Sequence, residues 1–449
     1  MRNTFALLSI ILIFFSCQNK KIAPTPPMGW NSYDCFGYGV NEKQVKENAE
    51  YLATHLKKFG WEYVIVDFLW SLPDVGPEMQ NVQLYQNEHF FPRLNMDPNG
   101  RLLPDTLRFP SSAGNKGFLP LANYIHSKGL KFGIHVMRGI PRQASFEKSP
   151  VLNSSYTAAQ VANPLDTCNW MNHMFGLDMT RPGAQEYLNS ILNLYASWDV
   201  DFVKIDDLSS PYHKAEIEGY RKARDLCGRD IVISTSPGET PINEAAHISL
   251  NANLWRLLGD LWDDWKAVDH AFDVIERWNN VRNPGQWPDP DMLPLGKLSK
   301  YGPVGPERYC RLSADEQYSL MTLWCISASP LMLGGNLPEN DSLTTRLITN
   351  ETAIEANQHS FNNHAIIKGK SPVWLAEKSK SNELFLAFFN RDSLPARVNF
   401  DLKAINIKEC EIYNVWAEKN LGIRTTSIDS VLKPHSCLFF KLMKIKKMG

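Results

Sequence analysis

From Thr25 to about Asn363, short apolar runs alternate with longer stretches of helical period. Tyr63-Val64-Ile65-Val66 ends in Asp67, and Leu130 to Val136 reads Leu-Lys-Phe-Gly-Ile-His-Val. Phe202-Val203-Lys204-Ile205 ends in Asp206-Asp207, and Ile231-Val232-Ile233 ends in Ser234-Thr235-Ser236. Short runs rich in Val, Ile and Phe predict strands buried on both faces, as in a parallel sheet. Helical patterns lie between them at Glu42 to Phe59, Phe118 to Lys128, Gly183 to Trp198 and Ala215 to Cys227. Repeated βα units predict a parallel barrel or a doubly wound sheet. The (β/α)8 TIM barrel is preferred, because polar and acidic residues recur just past the strand runs, where barrel enzymes gather their working groups. A doubly wound sheet would carry a glycine-rich phosphate loop after a strand, and no GxGxxG or GxxxxGKS pattern stands there.

Past Asn363 the alternation stops. Pro372 to Trp374, Leu384 to Phe389, Arg397 to Leu402, Cys410 to Val415 and Cys437 to Leu442 read as short strands divided by turns. They predict a small antiparallel β-sandwich domain over 364–449, after a barrel domain over 25–363. At the other end, Arg2 precedes an apolar run from Phe5 to Phe15, then Ser16-Cys17-Gln18-Asn19-Lys20-Lys21. The run is too short to span a bilayer and reads as the core of a signal peptide over 1–17. Cys17, directly after a small residue where the run stops, resembles the lipobox cysteine of bacterial lipoproteins. The alternative is a plain secretory signal with an incidental cysteine. The expectation is an exported bacterial lipoprotein, periplasmic or on the cell surface, that meets the membrane only through its lipid anchor.

Composition narrows the function classes. With Lys+Arg 47 against Asp+Glu 48, there is no basic excess for nucleic acid and no acidic excess for a disordered chain. The seven cysteines after Cys17 are scattered, without a CxxC pair or the Cys/His spacing of a zinc site. The expected chemistry therefore uses no metal and no cofactor. Neutral-pH hydrolysis without a metal needs a nucleophile and a proton donor, and two carboxylates in different environments supply both. Asp67, Asp206, Asp207, Asp260, Asp289 and Asp291 all stand at predicted strand ends. Any one alone reads as a helix cap or a turn, and their recurrence points to a site. Asp206 is the sharpest candidate, because Lys204 lies two residues earlier on the same strand face, where its ammonium would favour the ionised carboxylate.

Four ordered motifs resemble the glycoside hydrolase family of α-galactosidases and α-N-acetylgalactosaminidases. Thr25-Pro26-Pro27-Met28-Gly29-Trp30-Asn31-Ser32-Tyr33 is similar to its opening strand, and Asp201-Phe202-Val203-Lys204-Ile205-Asp206 to its nucleophile strand. Trp255-Arg256-Leu257-Leu258-Gly259-Asp260 resembles its acid/base motif, and Trp287-Pro288-Asp289-Pro290-Asp291-Met292-Leu293 its late-barrel motif. The resemblance implies a retaining exo-glycosidase for terminal α-D-galactosyl residues, with Asp206 as nucleophile and Asp260 as acid/base. It further implies that Lys204 and Arg256 hold sugar hydroxyls, Asp67 grips the C4 and C6 side, Tyr33 replaces a lining tryptophan and Asp291 lies near the anomeric region. His135, at the end of the third strand run, is a candidate sugar contact or a structural histidine. Of the tryptophans beside the motifs, Trp70 is the first candidate for stacking on a sugar face, ahead of Trp255 and Trp287.

Departures from the family pattern bear on specificity. Asp67 is followed by Phe68 where a second aspartate is usual, and Ser236 stands where a glutamate usually reads the 2-hydroxyl. Leu208 replaces a cysteine that the family bridges to the loop after the third strand. The segments Asp67-Phe68-Leu69-Trp70 and Phe132 to Arg142 resemble a branch associated with both α-galactosides and β-L-arabinopyranosides. Those sugars differ by the C6 hydroxymethyl, so β-L-arabinopyranosidase or dual activity is the alternative, and a galactose- or arabinopyranose-terminated glycan is the expected partner. A non-catalytic surface glycan-binding lipoprotein is the reading from another class, and the retained Asp206, Lys204, Arg256 and Asp260 argue against it. Oligomeric state is not legible.

Overall fold

A computed structural model describes residues 21–73, 93–302, 304–378 and 381–445 of the chain. Cys17 and the leader lie outside the described residues. Eight parallel strands carry the first domain: β1 (Met28–Asn31), β2 (Tyr63–Val66), β3 (Lys131–Met137), β4 (Phe202–Asp206), β5 (Val232–Thr235), β6 (Leu254–Arg256), β7 (Trp287–Asp289) and β8 (Leu331–Leu333). They pair in the order β7-β6-β5-β4-β3-β2-β1-β8. The outer two meet where Leu293, just past β7, bridges Leu333 of β8, with the Leu293 amide donating to the Met332 carbonyl at 2.7 Å. The curled sheet therefore closes on itself as a TIM-type barrel.

Tyr63, Ile65, Phe202, Val232, Leu254, Trp287 and Met332 fill the interior, and the helices pack outside on the other strand face. This double burial is why the strand runs are apolar almost without interruption. Ala23 joins the interior cluster, and its carbonyl accepts the Trp287 indole N–H at 2.9 Å. The segment before β1 thus plugs the N-terminal end of the barrel. Gly29 is required in β1, since a Cβ there would lie 2.4 Å from the Tyr63 carbonyl oxygen of β2.

Helices follow the strands, among them α1 (Glu42–Tyr51), α2 (Leu119–Ser127), α3 (Ala184–Ser197), α4 (Lys214–Leu226), α5 (Ala245–Asn251), α6 (Trp265–Arg277), α7 (Ala314–Ile326), α8 (Ser342–Thr349) and α9 (Glu351–His359). Polar caps set several starts: Asn41 and Gln44 form a reciprocal capping box on α1, as Ser313 and Glu316 do on α7.

The second domain begins at Ser360, directly after α9. Its strands are β9 (Ser360–Ile367), β10 (Val373–Lys378), β11 (Glu383–Phe389), β12 (Ala396–Asp401), β13 (Cys410–Asn414), β14 (Lys419–Arg424), β15 (Ser427–Leu432) and β16 (Cys437–Lys444). A six-stranded antiparallel sheet, ordered β9-β10-β11-β16-β13-β14, faces the two-stranded β12-β15 pair across a core that includes Leu386, Phe388, Phe400 and Ile412. The sheet's other face, with Trp374, Phe385, Phe389 and Phe439, merges into the apolar core of the barrel's helices. Phe389 meets Phe272 of α6 with ring centroids 4.9 Å apart, and Trp416 donates to Thr322 of α7 at 2.7 Å.

Candidate active site

The C-terminal ends of the strands surround a cavity of about 340 Å³. Tyr33 and Asp34 reach it from just past β1, Asp67 and Phe68 from the end of β2, and His135 from β3. Lys204 and Asp206 come from β4, Gly259 and Asp260 from beyond β6, and Trp170 from the loop between β3 and β4. A larger cavity, about 710 Å³, opens at the opposite end of the barrel and contains none of the site residues expected from the sequence. The acids converge only at the first.

Asp206 ends β4 with three partners. His135 Nε2 lies 3.1 Å from one carboxylate oxygen, while the Ser236 hydroxyl donates to the other at 3.1 Å and the Asp207 amide at 2.9 Å. Burial pushes the Asp206 carboxyl up, but the His135 hydrogen bond and charge, the Lys204 ammonium and the Asp207 amide outweigh it and hold it below the usual range. Asp206 is therefore a pre-ionised carboxylate with a fixed orientation.

Lys204 supports the ionised Asp206 through its charge, as the strand spacing predicts, while its nearest carboxylate partner is Asp67. Lys204 and Asp206 share a strand face, but the long lysine side chain reaches across to β2, where Nζ lies 3.1 Å from Asp67 Oδ2. Asn31 donates to the same oxygen at 2.7 Å, and the Phe68 amide donates to Asp67 Oδ1 at 2.9 Å. Burial opposes ionisation of Asp67, yet Lys204, His135 and Asn31 hold its carboxyl well below the usual range. Burial and the Arg256 charge push the Lys204 ammonium down, but Asp67, Asp206 and Asp291 together outweigh them and hold it above its usual value. The result is an anchored ion pair on the cavity wall, with an ammonium that can donate and a carboxylate that can accept hydrogen bonds.

Arg256 organises the opposite wall. Its Nη2 lies 2.8 Å from Asp291 Oδ2 and 3.2 Å from Asp260 Oδ1, and it donates to the Gly259 carbonyl at 2.8 Å. Asp291 also accepts the Leu261 amide at 2.8 Å, so it braces the loop that carries Asp260. Burial pushes the Asp291 carboxyl up, against the pull of Arg256 and with a further push from Asp260. Asp260 differs from every other acid here, its side chain being 61% exposed. Asp206, by contrast, is 16% exposed and Asp67 only 2%.

Several expected site residues stand elsewhere. Trp70 is buried against Phe118 and Trp198, with its indole N–H on the His135 carbonyl, and it lines no part of the cavity. Leu69, at φ +62°, turns the chain so that Trp70 points back under β3. Trp255 is likewise buried, and Trp287 belongs to the plugged end of the barrel. Ser236 lies behind Asp206 and orients it. Trp170 and Asp34 are lining side chains that escaped sequence reading. Trp170 sits in a polar loop without a strand end to mark it, and Asp34 follows the opening motif inside a short helical turn, Tyr33–Phe36. Asp34 Oδ2 is buried without a hydrogen-bond partner, and burial together with the charges of Asp291 and Asp260 pushes its carboxyl well above the usual range.

Behind Asp206, an ionic network joins the segments that follow β3 and β4 to α4. Arg138, past β3, lies 3.0 Å from Asp207, 2.6 Å from Asp166 and 2.8 Å from Glu216 of α4. Asp207 takes a left-handed conformation, φ +61°, directly after Asp206. Burial pushes its carboxyl up to about 6 against the opposing Arg138 charge, and that of Glu216 up to about 7.

Comparison with known proteins shows what the chain as a whole is similar to. The family model described as alpha galactosidase A matches residues 25–152 and 174–359, and that of the alpha galactosidase C-terminal beta sandwich domain matches 368–442. The solved structure of a β-L-arabinopyranosidase from Geobacillus stearothermophilus is 42% identical, covers 95% of this chain and 98% of its own, and superposes with a TM-score of 0.91. Alpha-galactosidase 2 of Arabidopsis thaliana is 26% identical over 96% of this chain and 92% of its own length. Alpha-N-acetylgalactosaminidase of Mus musculus is 26% identical over 100% and 98%.

Proposed function

Since the chain belongs to the alpha galactosidase A family of glycoside hydrolases, we propose that it is a retaining exo-glycosidase for terminal sugars of galacto ring configuration, with Asp206 as nucleophile and Asp260 as acid/base. One observation carries this reading. The two carboxyls open on one cavity in opposite environments, Asp206 buried and held ionised, Asp260 exposed beside Arg256. Asp206 attacks the anomeric carbon while Asp260 gives its proton to the departing glycosidic oxygen. Asp260 then takes a proton from water, which opens the glycosyl ester with net retention. Lys204 and Asp67 hold hydroxyls, Asn31 fixes Asp67 from behind, Asp291 steadies the acid/base loop, and no step calls for a cofactor. A cavity of about 340 Å³ is at the small end of ligand sites, which suits a terminal sugar.

Phe68 favours β-L-arabinopyranosides over α-D-galactosides within this chemistry. It follows the hydroxyl-gripping Asp67 on the cavity lining, and its ring packs 5.2 Å from His135 and 6.3 Å from Tyr33. An apolar ring in that place takes up room for a C6 hydroxymethyl and offers it no hydrogen bond. The test is hydrolysis of the p-nitrophenyl glycosides of both sugars, with Asp206→Ala as control. Cleavage of either that the variant loses supports the reading, and equal rates in wild type and variant overturn it. We further propose that the protein is exported and anchored through a lipid on Cys17, so that radiolabelled palmitate is incorporated by the wild-type chain and not by Cys17→Ser.

A further inference from the structure

The network behind Asp206 holds more acids than one guanidinium balances. Asp166, Asp207 and Glu216 share the single guanidinium of Arg138, so that ionising all three would leave two negative charges in a region where Arg138, Asp207 and Glu216 are each at most 4% exposed. Uncompensated buried charge is costly. Arg138 satisfies Glu216 Oε1 at 2.8 Å, but Oε2 is buried without a hydrogen-bond partner, and so is Nε2 of the neighbouring His213. His213 Nδ1 lies 3.7 Å from Asp166 Oδ2. One ligand atom from each of Asp166, His213 and Glu216 falls within 4.8 Å of the others.

We propose that Asp166, His213 and Glu216 bind one divalent cation that ties the loop between β3 and β4 to the start of α4. A 2+ ion would cancel the surplus charge and give the unpartnered Glu216 oxygen a ligand role. His213 precedes α4 and Glu216 lies in its first turn, three residues on, a spacing that puts both on one side of the helix. Two carboxylates with an imidazole suit Zn2+ or Mn2+, whereas Ca2+ takes six to eight oxygens. Asp166 is 29% exposed and gives the ion a way in. The ion would stand outside the sugar cavity, so its role is structural and independent of the proposed substrate.

Tag-free wild-type protein, stripped with EDTA, is titrated calorimetrically with ZnCl2, MnCl2 and CaCl2. Zn2+ or Mn2+ should saturate at one per chain and raise Tm, and His213→Ala and Asp166→Asn should each weaken binding tenfold or more. No saturable binding, binding of Ca2+ alone, or binding that the two variants leave within tenfold of wild type overturns the proposal. If the variants do not fold, electron spin echo of Mn2+ on the wild-type chain decides. Imidazole nitrogen modulation supports the site, and its absence overturns it.

Discussion

Asp206 stays ionised in a buried setting because His135, Lys204 and the Asp207 amide together outweigh the cost of desolvation. The acid limb of activity should follow this carboxylate, with rate lost as pH falls through its depressed pKa. Removing His135 takes away the first of those supports, so Asp206 in His135→Phe titrates higher. The acid limb of kcat/KM then moves to higher pH, and a pH profile unchanged from wild type would refute the role of His135. Phe68→Ala reads the neighbouring question of specificity. Opening space for one hydroxymethyl is worth about 1 to 3 kcal/mol, so the galactoside-to-arabinopyranoside ratio of kcat/KM should rise about tenfold or more. An unchanged ratio would show that Phe68 does not govern the C6 side. At this scale the sequence marks the acids well, because strand ends are fixed by the apolar runs before them. It marks their partners poorly. The reach of Lys204 to Asp67, the Ser236 contact with Asp206 and the burial of Trp70 depend on which strands become neighbours, and strand spacing carries no such information.

The elements of the barrel were the most legible, since strands buried on both faces leave unbroken apolar runs. In the second domain, β10, β11 and β16 show the same signal. β14 does not, because nearly every residue from Lys419 to Arg424 is exposed and no apolar alternation marks it. The link between the β3–β4 loop and α4 was invisible for another reason. The family resemblance marks Leu208 as a departure from a cysteine, but it carries no sign of the ion pairs that Arg138 makes with Asp166, Asp207 and Glu216. Arg138→Met would leave Asp166, Asp207 and Glu216 without their shared guanidinium. Breaking a buried pair this way costs about 3 to 5 kcal/mol, so the variant should melt several degrees below wild type in EDTA. Equal Tm values would remove the network from the account of stability.

The whole molecule behaves as one packed body of two domains. The six-stranded sheet shares its apolar face with the barrel's helices, and Arg391, just past the end of β11, lies 2.6 Å from both Asp269 and Asp273 of α6. A chain ending at His359 would expose the helix surface that Trp374, Phe385, Phe389 and Phe439 cover, a contiguous patch of the kind that drives aggregation. That truncation should be insoluble or lose its cooperative melt, and a soluble truncation with wild-type Tm would contradict the shared core. Sequence reading reached the order of the two domains and the class of each, because periodicity changes where one ends. It could not reach their interface, which is built from side chains on both sides of that change.

The central claim is that Asp206 forms a glycosyl ester during turnover. The direct measurement is mass spectrometry of the protein incubated with a 2-deoxy-2-fluoro glycoside of the better substrate, followed by peptide mapping. The account predicts one added fluoroglycosyl unit per chain, carried on Asp206. An adduct on another residue, or no adduct while the fluoroglycoside is still hydrolysed, would contradict it.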